Sequence, residues 1–548
     1  MGTITGSEVL AQSLRSQGTD TLFYLMGGPM LETEAACIAL GIRAIDHRHE
    51  QAAALAAHAW SRVTRRPGVC MGCSGPGATN LLTGVANAFT DAAPLVAIGG
   101  SSPRVFLGME AFQEIDQVAV FRPVTKWAER IYDAKRIPDM VQTAFRQATT
   151  GRPGPVYLDL PGDVLGEKVE ESSIVYPPAW RPAPRTLGDP GAIREAIALL
   201  AKAERPVVIA GSGVWWSDGA AALQAFVEAA GIPFYTTPIS RGLIPEDHTL
   251  AFLNARSKAF TEADVVLAVG TRFNWVIQFG RPPRFAADLK VIHVDVNPTQ
   301  LGHNRDVDVP IAGDARAVLG QLLAEAQGKI DPKRYNAWVG KLRVLDGEKL
   351  AEQDKAMSSD ATPIHPLRLC KEVRDFLRRD AILVVDGQEI LNFGRQAIPT
   401  FSPGHRLNSG AFGCMGVGLP FGVGAKVAKP DAQVVVLHGD GSFGINAMDI
   451  DTAVRHKLPV IVVISNNGGW TADAPWTRPL PKPGRNLGHT RYDKVAQDLG
   501  AHGEFVEKPH DIRPALERAA ASGKPAVVNV ITDHKARAQT VRFSAYTT

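Results

Sequence analysis

The sequence predicts an α/β protein built from three doubly wound, parallel-sheet domains. Three observations predict it. The 548 residues exceed what one hydrophobic core holds, so about three domains are expected. Short β-branched runs alternate with stretches of helical period, the pattern of successive βαβ units. A Pro- and charge-rich stretch at 166–190 and a charged helical one at 331–363 divide the chain into 1–165, 191–330 and 364–548.

The first segment sets the pattern. A strand is read at 21–25, ending in the Gly27-Gly28-Pro29 turn, and an extended run at 43–46 leads into His49-Glu50. A helix opens there, which puts Glu50 at a strand-to-helix junction. Taken alone, that position also suits a glutamate favoured by the helix macrodipole. The Ser74-Gly75-Pro76-Gly77 turn precedes a further helix, and 157–160 (YLDL) closes the domain. In the middle segment, 206–213 (PVVIAGSG) is a strand entering a glycine turn, although GSGVWW does not complete G-x-G-x-x-G. Further strands at 265–270 and 291–296 lead to Thr271-Arg272 and Asp295.

The third segment holds the most informative stretch, 438–467 (HGDGSFGINAMDIDTAVRHKLPVIVVISNN). The run 433–437 reads as a buried strand ending at Gly439-Asp440-Gly441. Asn446, with Asp449 three residues on, reads as a helix start, and Ile450, Ala453, Val454 and Leu458 share one apolar face. A second strand follows at 460–464. A right-handed strand–helix–strand crossover makes the strands parallel and lays the Asp440 and Asn467 loops side by side. Open α/β sheets bind ligands there. Asp440, Asn467 and Gly469 are the candidate metal site, since a carboxylate and an amide oxygen suit Mg2+. Gly439, Gly441 and Gly469 let the backbone approach a phosphate, with Ser442 as a further donor. Taken singly, an Asp-Gly turn and an Asn-Asn turn need no ligand.

Composition excludes several classes. Apolar residues make up 45% and charged residues 21%, a soluble globular balance with no run of membrane-span length. No signal peptide is read at the N-terminus. A net charge of +3 without a basic-aromatic stripe argues against nucleic acid. Cys70 and Cys73 in VCMGCSG read as packing, and the odd count of five cysteines fits a reducing cytoplasm.

Taken together, GDG, the intervening residues 442–465 and NN resemble the diphosphate-anchoring motif of thiamine-diphosphate enzymes. RHEQAAALAAHAWSR (48–62), residues 73–103 and AFQEIDQ (111–117) resemble the pyrimidine-binding domain of the acetolactate-synthase-like branch. The resemblance implies a pyrimidine-binding domain (1–165), a middle domain (191–330) and a diphosphate-binding domain (364–548). It implies thiamine diphosphate and Mg2+ as cofactors. The glutamate matching Glu50 bonds the aminopyrimidine N1′ in that family and promotes the imino form that gives the C2 ylide. Met415 matches the residue that wedges the cofactor into a V shape, and Gln388 and Glu389 hold the diphosphate or line its pocket. Because the cofactor bridges domains of different subunits, a homodimer or homotetramer with interfacial active sites is implied.

Residues 271–304 and 241–248 resemble the branch of 2-hydroxyacyl-CoA lyases and oxalyl-CoA decarboxylases. Phe112-Gln113-Glu114 is like the lyases, whereas the decarboxylases carry tyrosine beside the glutamate. The resemblance therefore implies cleavage of a 2-hydroxyacyl-CoA to formyl-CoA and an aldehyde or ketone, with Gln113 and Glu114 contacting substrate oxygens. Arg241 and Arg395 fall at segments that contact CoA, and the segment 533–548 matches one that closes over substrate in the decarboxylases. Arg152, Arg272 and Asp295 fall where that branch binds ADP as an activator. The alternatives are an oxalyl-CoA decarboxylase, an acetolactate-synthase-like carboligase, and a non-catalytic homologue, against which Glu50 argues.

Overall fold

The structure, a computed structural model, describes residues 2–181, 184–470 and 483–538. After β1 (Thr3–Thr5) the chain builds a first sheet from β2 (Thr21–Tyr24), β3 (Arg43–Asp46), β4 (Gly68–Gly72), β5 (Leu95–Ser101), β6 (Ala128–Arg130) and β7 (Pro155–Pro161). β8 (Lys168–Glu170) returns antiparallel to β1. The second sheet comprises β9 (Pro206–Ala210), β10 (Phe234–Thr236), β11 (Val265–Val269), β12 (Lys290–Asp295) and β13 (Val309–Ala312). The third comprises β14 (Ile382–Asp386), β15 (Arg406–Leu407), β16 (Val434–Gly439), β17 (Ile461–Asn466), β18 (His502–Val506) and β19 (Ala526–Ile531).

Strand order explains where sites form. The first sheet runs β3-β2-β4-β5-β7-β6 and the third runs β15-β14-β16-β17-β19-β18, the same order strand for strand. The second runs β10-β9-β11-β12-β13. In each sheet the winding reverses beside its first strand, at β2/β4, β9/β11 and β14/β16. The loops leaving such a pair diverge and open a crevice. The central strands are buried on both faces, as the near-continuous apolar runs 434–437 and 461–464 require.

The first and third domains meet through small residues. Helix Glu50–Thr64 packs on helix Gly418–Ala428, and a Cβ at Gly424 would stand 2.1 Å from the Ala56 carbonyl. His47 Nδ1 lies 3.0 Å from Asp449 Oδ2, and the Arg48 N–H donates to Asp449 Oδ1 at 3.2 Å. One apolar cluster spans both domains. The helix expected from Asn446 starts instead at Asp449, and the chain is already helical over Asp440–Ile445. Asn446 is drawn off by the Gly416 carbonyl, to which its Nδ2 donates at 2.7 Å. The charged stretch after the middle domain forms helix Asn336–Met357, which buries Trp338, Val339 and Leu342 against the second sheet. Among the described residues no helix is long and apolar enough to cross a membrane.

Candidate active site

The third domain places a cavity at the β14/β16 crevice. Gln388, Glu389, Met415, Gly439, Asp440, Gly441, Ser442, Asn467, Gly469 and Trp470 line it. β16 and β17 run parallel with Gly439 opposite Ser465, so Asp440 and Asn467 do lie side by side. Asn467 Oδ1 stands 3.1 Å from Asp440 Oδ1 and 2.8 Å from the Gly469 carbonyl, three acceptor oxygens facing one another. Oxygen ligands about 2.1 Å from Mg2+ and at right angles lie about 3 Å apart, so this spacing fits one cation. Turned over, the same amide would bond both oxygens through its NH2 group. Asp440 is buried, which pushes its carboxyl up to about 6, and its Oδ2 has no hydrogen-bond partner. Among the described residues no cluster of three or more His, Cys, Asp or Glu gathers. One carboxylate plus amide and carbonyl oxygens is the donor set that suits a cation held together with a phosphate.

The glycines here are required by space. A Cβ at Gly441 would stand 2.8 Å from the Trp470 ring, and one at Gly469, where φ is 151°, would stand 1.9 Å from the Arg485 carbonyl. Ser442 departs from expectation. Its hydroxyl donates to the Gly439 carbonyl at 3.0 Å and lies 3.0 Å from His438 Nδ1, so it is engaged within its own turn. Burial pushes His438 down to about 3, which leaves its ring neutral. Glu389 lines the cavity, but its carboxylate accepts the Ala538 N–H at 2.9 Å.

The first domain gathers a second group from three loops. Glu50 begins helix Glu50–Thr64 behind the His49 cap and is 5% exposed. Asn80 Nδ2 donates to Glu50 Oε2 at 3.0 Å. A Cβ at Gly77 would stand 3.2 Å from Glu50 Oε1 and 2.4 Å from Cys73 Sγ, so the glutamate, Gly77 and the thiol are in close contact. Ser74 Oγ donates to Gln113 Oε1 at 2.7 Å, which brings Gln113 to the same turn. Glu114 is engaged within its own loop. Its carboxylate accepts the backbone N–H groups of Gly108 and Ala111, the latter at 2.9 Å, and braces its own loop. These contacts hold it below the usual carboxylate range, the Gly108 bond most of all. Sequence pattern had no signal for Asn80, which is one of several polar residues along helix Pro76–Asp91.

A third feature lies between the middle and third domains. A cavity of about 370 Å³ is lined by Arg241, Arg256, Arg284, Lys349, Arg395 and Arg406, with Glu246 the one carboxylate in its wall. Arg241 and Arg395 thus share one cavity, and Arg256 and Arg284 join them unannounced by any motif. Arg241 is paired within the wall: Nε donates to Glu246 Oε1 at 2.7 Å, and Nη2 bonds the same carboxylate. Its Nη1 is buried without a partner. Burial and then the neighbouring guanidinium groups push Arg256 down to about 9, and burial and Arg241 push Arg395 down to about 10. Helix Glu389–Ala397 links the two cavities, with Glu389 in the wall of one and Arg395 in the wall of the other. Six residues of helix separate them by about 9 Å.

Arg152, Arg272 and Asp295 are also together, but the arginines are not exposed. Arg152 Nη2 donates to the Phe89 carbonyl at 2.9 Å and Arg272 Nη2 to that of Thr90, closing the C-terminus of helix Pro76–Asp91. Asp295 accepts the Asn297 N–H at 2.8 Å. The fully buried Asp91, pushed up to about 6 by burial, lies beside Arg62 at 3.3 Å and shares a small cleft with Gly211, Gly270 and Arg272.

A buried glutamate in one doubly wound domain and a glycine-lined crevice with cation donors in its topological twin define an enzyme that uses thiamine diphosphate to work on carbon–carbon bonds. Family models bear this out. The "Thiamine pyrophosphate enzyme, N-terminal TPP binding domain" matches residues 4–120, its central domain 193–322, and its C-terminal TPP binding domain 391–530. The chain belongs to the thiamine pyrophosphate enzyme family. It is 38% identical to acetolactate synthase large subunit IlvG of Mycobacterium tuberculosis, over 97% of this chain and 96% of that one. It is 35% identical to a 2-hydroxyacyl-CoA lyase of Arabidopsis thaliana, over 98% and 97%. It is 34% identical to oxalyl-CoA decarboxylase of Escherichia coli K12, over 96% and 95%.

Proposed function

We propose that the protein is a 2-hydroxyacyl-CoA lyase, cleaving the C1–C2 bond of its substrate to formyl-CoA and an aldehyde or ketone. The observation that supports this reading most is the arginine cavity. Five guanidinium groups and Lys349 surround one carboxylate that Arg241 already occupies. Buried charge of one sign is costly, and a diphosphate with a further phosphate, as CoA carries, offsets it. Helix Glu389–Ala397 then sets the thioester end toward the cofactor cavity. Acetolactate synthesis, from substrates without a nucleotide, gives such a cavity no role.

When bound, thiamine diphosphate supplies the thiazolium that takes up the electron pair of the broken bond. Asp440, Asn467 and the Gly469 carbonyl would hold Mg2+, and the Gly439–Ser442 backbone would hold the diphosphate. Glu50, buried and fixed by Asn80, holds a proton that it would share with a ring nitrogen of the cofactor. Gln113, whose oxygen is held by Ser74, keeps its amide NH2 for a substrate oxygen. With Phe112 in place of tyrosine, this loop favours a neutral carbinol over a carboxylate. The diphosphate cavity is lined by the third domain, and on this reading Glu50 of a second copy completes the site in a homodimer or homotetramer. An ADP-type activator belongs, on this reading, in the cleft of Gly211, Gly270 and Arg272. The five free cysteines suit the reducing cytoplasm.

Titration of the cofactor-loaded enzyme with free CoA tests the cavity. The reading requires saturable binding that Arg256→Ala weakens; no binding at millimolar CoA contradicts it.

A further inference from the structure

Glu389 is the one carboxylate beside Asp440 and Asp533 in the wall of a cavity built for an anion. Unlike Asp440 it is not part of the cation donor set, and carboxylates that share one cavity repel. What it does hold is chain. Glu389 Oε2 accepts the Ala538 N–H at 2.9 Å, from the first turn of helix Glu389–Ala397, where the helix dipole favours its charge. The segment it meets leaves β19 and is pinned at its near end. Thr532 bridges Ile364, the Asp533 N–H donates to the Ile364 carbonyl at 2.9 Å, and the Ala536 N–H turns back to the Asp533 carbonyl at 3.3 Å. Asp533 and Ala536 line the diphosphate cavity, and Ala538 is buried in the apolar cluster of Ile364, Ile390 and Phe393.

We propose that Glu389 is the positioning residue that seats residues 533–538 as a strap forming the outer wall of the diphosphate cavity, and that this seating sets how long the cofactor stays bound. The strap has two anchors. The bridge to Ile364 is backbone pairing that any sequence would make, whereas the far anchor depends on one side chain. Without it the strap loses the side-chain hydrogen bond that fixes its far end at Ala538, and the cavity wall opens. The inference goes beyond the reaction proposed above, since a strap over the diphosphate acts alike on any thioester or keto acid. The role differs from holding the diphosphate: the carboxylate acts through the chain it docks.

Limited trypsin digestion of the full-length, cofactor-loaded enzyme tests the strap, with cuts after Lys535 and Arg537 followed by mass spectrometry. Cofactor loss is followed in parallel after rapid gel filtration. Glu389→Ala is expected to speed both cuts by roughly tenfold or more, because cleavage follows the open population and a charge-assisted hydrogen bond is lost. It is expected to shorten cofactor retention as well. Glu389→Gln, which keeps an oxygen for the Ala538 N–H, should restore slow cutting and retention. Ala538→Pro removes the donor while leaving Glu389 in place, and should reproduce Glu389→Ala even where the latter folds poorly. Wild-type cutting rates in Glu389→Ala and Ala538→Pro would overturn the proposal. Faster cutting with unchanged cofactor loss would overturn its second half.

Discussion

Asn80 Nδ2 donates to Glu50 Oε2 at 3.0 Å and so fixes which carboxylate oxygen remains, Oε1, beside Gly77. A carboxyl group that is 5% exposed and held on one side has a single direction in which to share a proton. Glu50→Gln should therefore fold and bind thiamine diphosphate but turn over roughly 10² to 10⁴ times more slowly, the usual loss for an acid–base group. Near-normal rates from pH 6 to 8 would return Glu50 to a helix-capping role.

Asn80→Ala should keep Glu50 in place but leave it free to rotate. The expected result is a smaller loss, on the order of tenfold in kcat, with cofactor affinity little changed. Steady-state kinetics beside cofactor titration checks it; an unchanged kcat would remove Asn80 from this role.

Asp440 brings the only charge to the three oxygens that face one another with Asn467 and Gly469. Asp440→Ala should weaken Mg2+-dependent cofactor binding by roughly 100-fold or more, the equivalent of about 3 kcal/mol. Calorimetry with and without Mg2+ reads this directly. Equal affinity in variant and wild type would remove the metal assignment.

Much of this was legible in sequence, for physical reasons that differ by region. Asp440 and Asn467 could be paired because a right-handed crossover leaves parallel neighbours no other arrangement, and β16 and β17 are such neighbours. Arg256 and Arg284 were not legible. Arg256 opens helix Arg256–Glu262 and Arg284 lies in a separate loop, with no common period, and helices Asn336–Met357 and Glu389–Ala397 pack beside them to form that cavity. Glu114 and Ser442 carried the right chemistry for a site, yet local N–H and C=O groups claimed them first. The helix starts at Asp449 rather than Asn446, whose NH2 donates to the Gly416 carbonyl.

Glu34 gives a pH dependence. Burial pushes it up to about 7 from its ordinary 4.5, and its Oε1 has no partner. A raised carboxyl binds its proton more tightly folded than unfolded, so its stabilising contribution is complete below 4.5 and is lost as pH rises through about 7. Glu34→Gln should flatten this fall and exceed wild type at pH 8 by about 2 kcal/mol. Thermal midpoints at pH 5 and pH 8 check it; a wild-type-like slope in the variant would place the titrating group elsewhere.

Arg395→Ala and Arg256→Ala should each raise KM for an acyl-CoA by roughly 10- to 100-fold while leaving thiamine diphosphate affinity unchanged. A pantetheine thioester, lacking the nucleotide, should be indifferent to both. Steady-state kinetics with the paired substrates separates this from a general loss of fold.

The central claim is the bond that breaks, and product analysis tests it most directly. A panel of 2-hydroxyacyl-CoA thioesters, oxalyl-CoA and pyruvate is supplied to the enzyme with thiamine diphosphate and Mg2+. The products are resolved by mass spectrometry, with evolved CO2 trapped. The expected result is formyl-CoA with an equimolar aldehyde or ketone from a 2-hydroxyacyl-CoA, the reverse condensation from formyl-CoA and a carbonyl compound, and little CO2. Faster CO2 release from oxalyl-CoA, or acetolactate from pyruvate, than any hydroxyacyl-CoA cleavage would contradict the account.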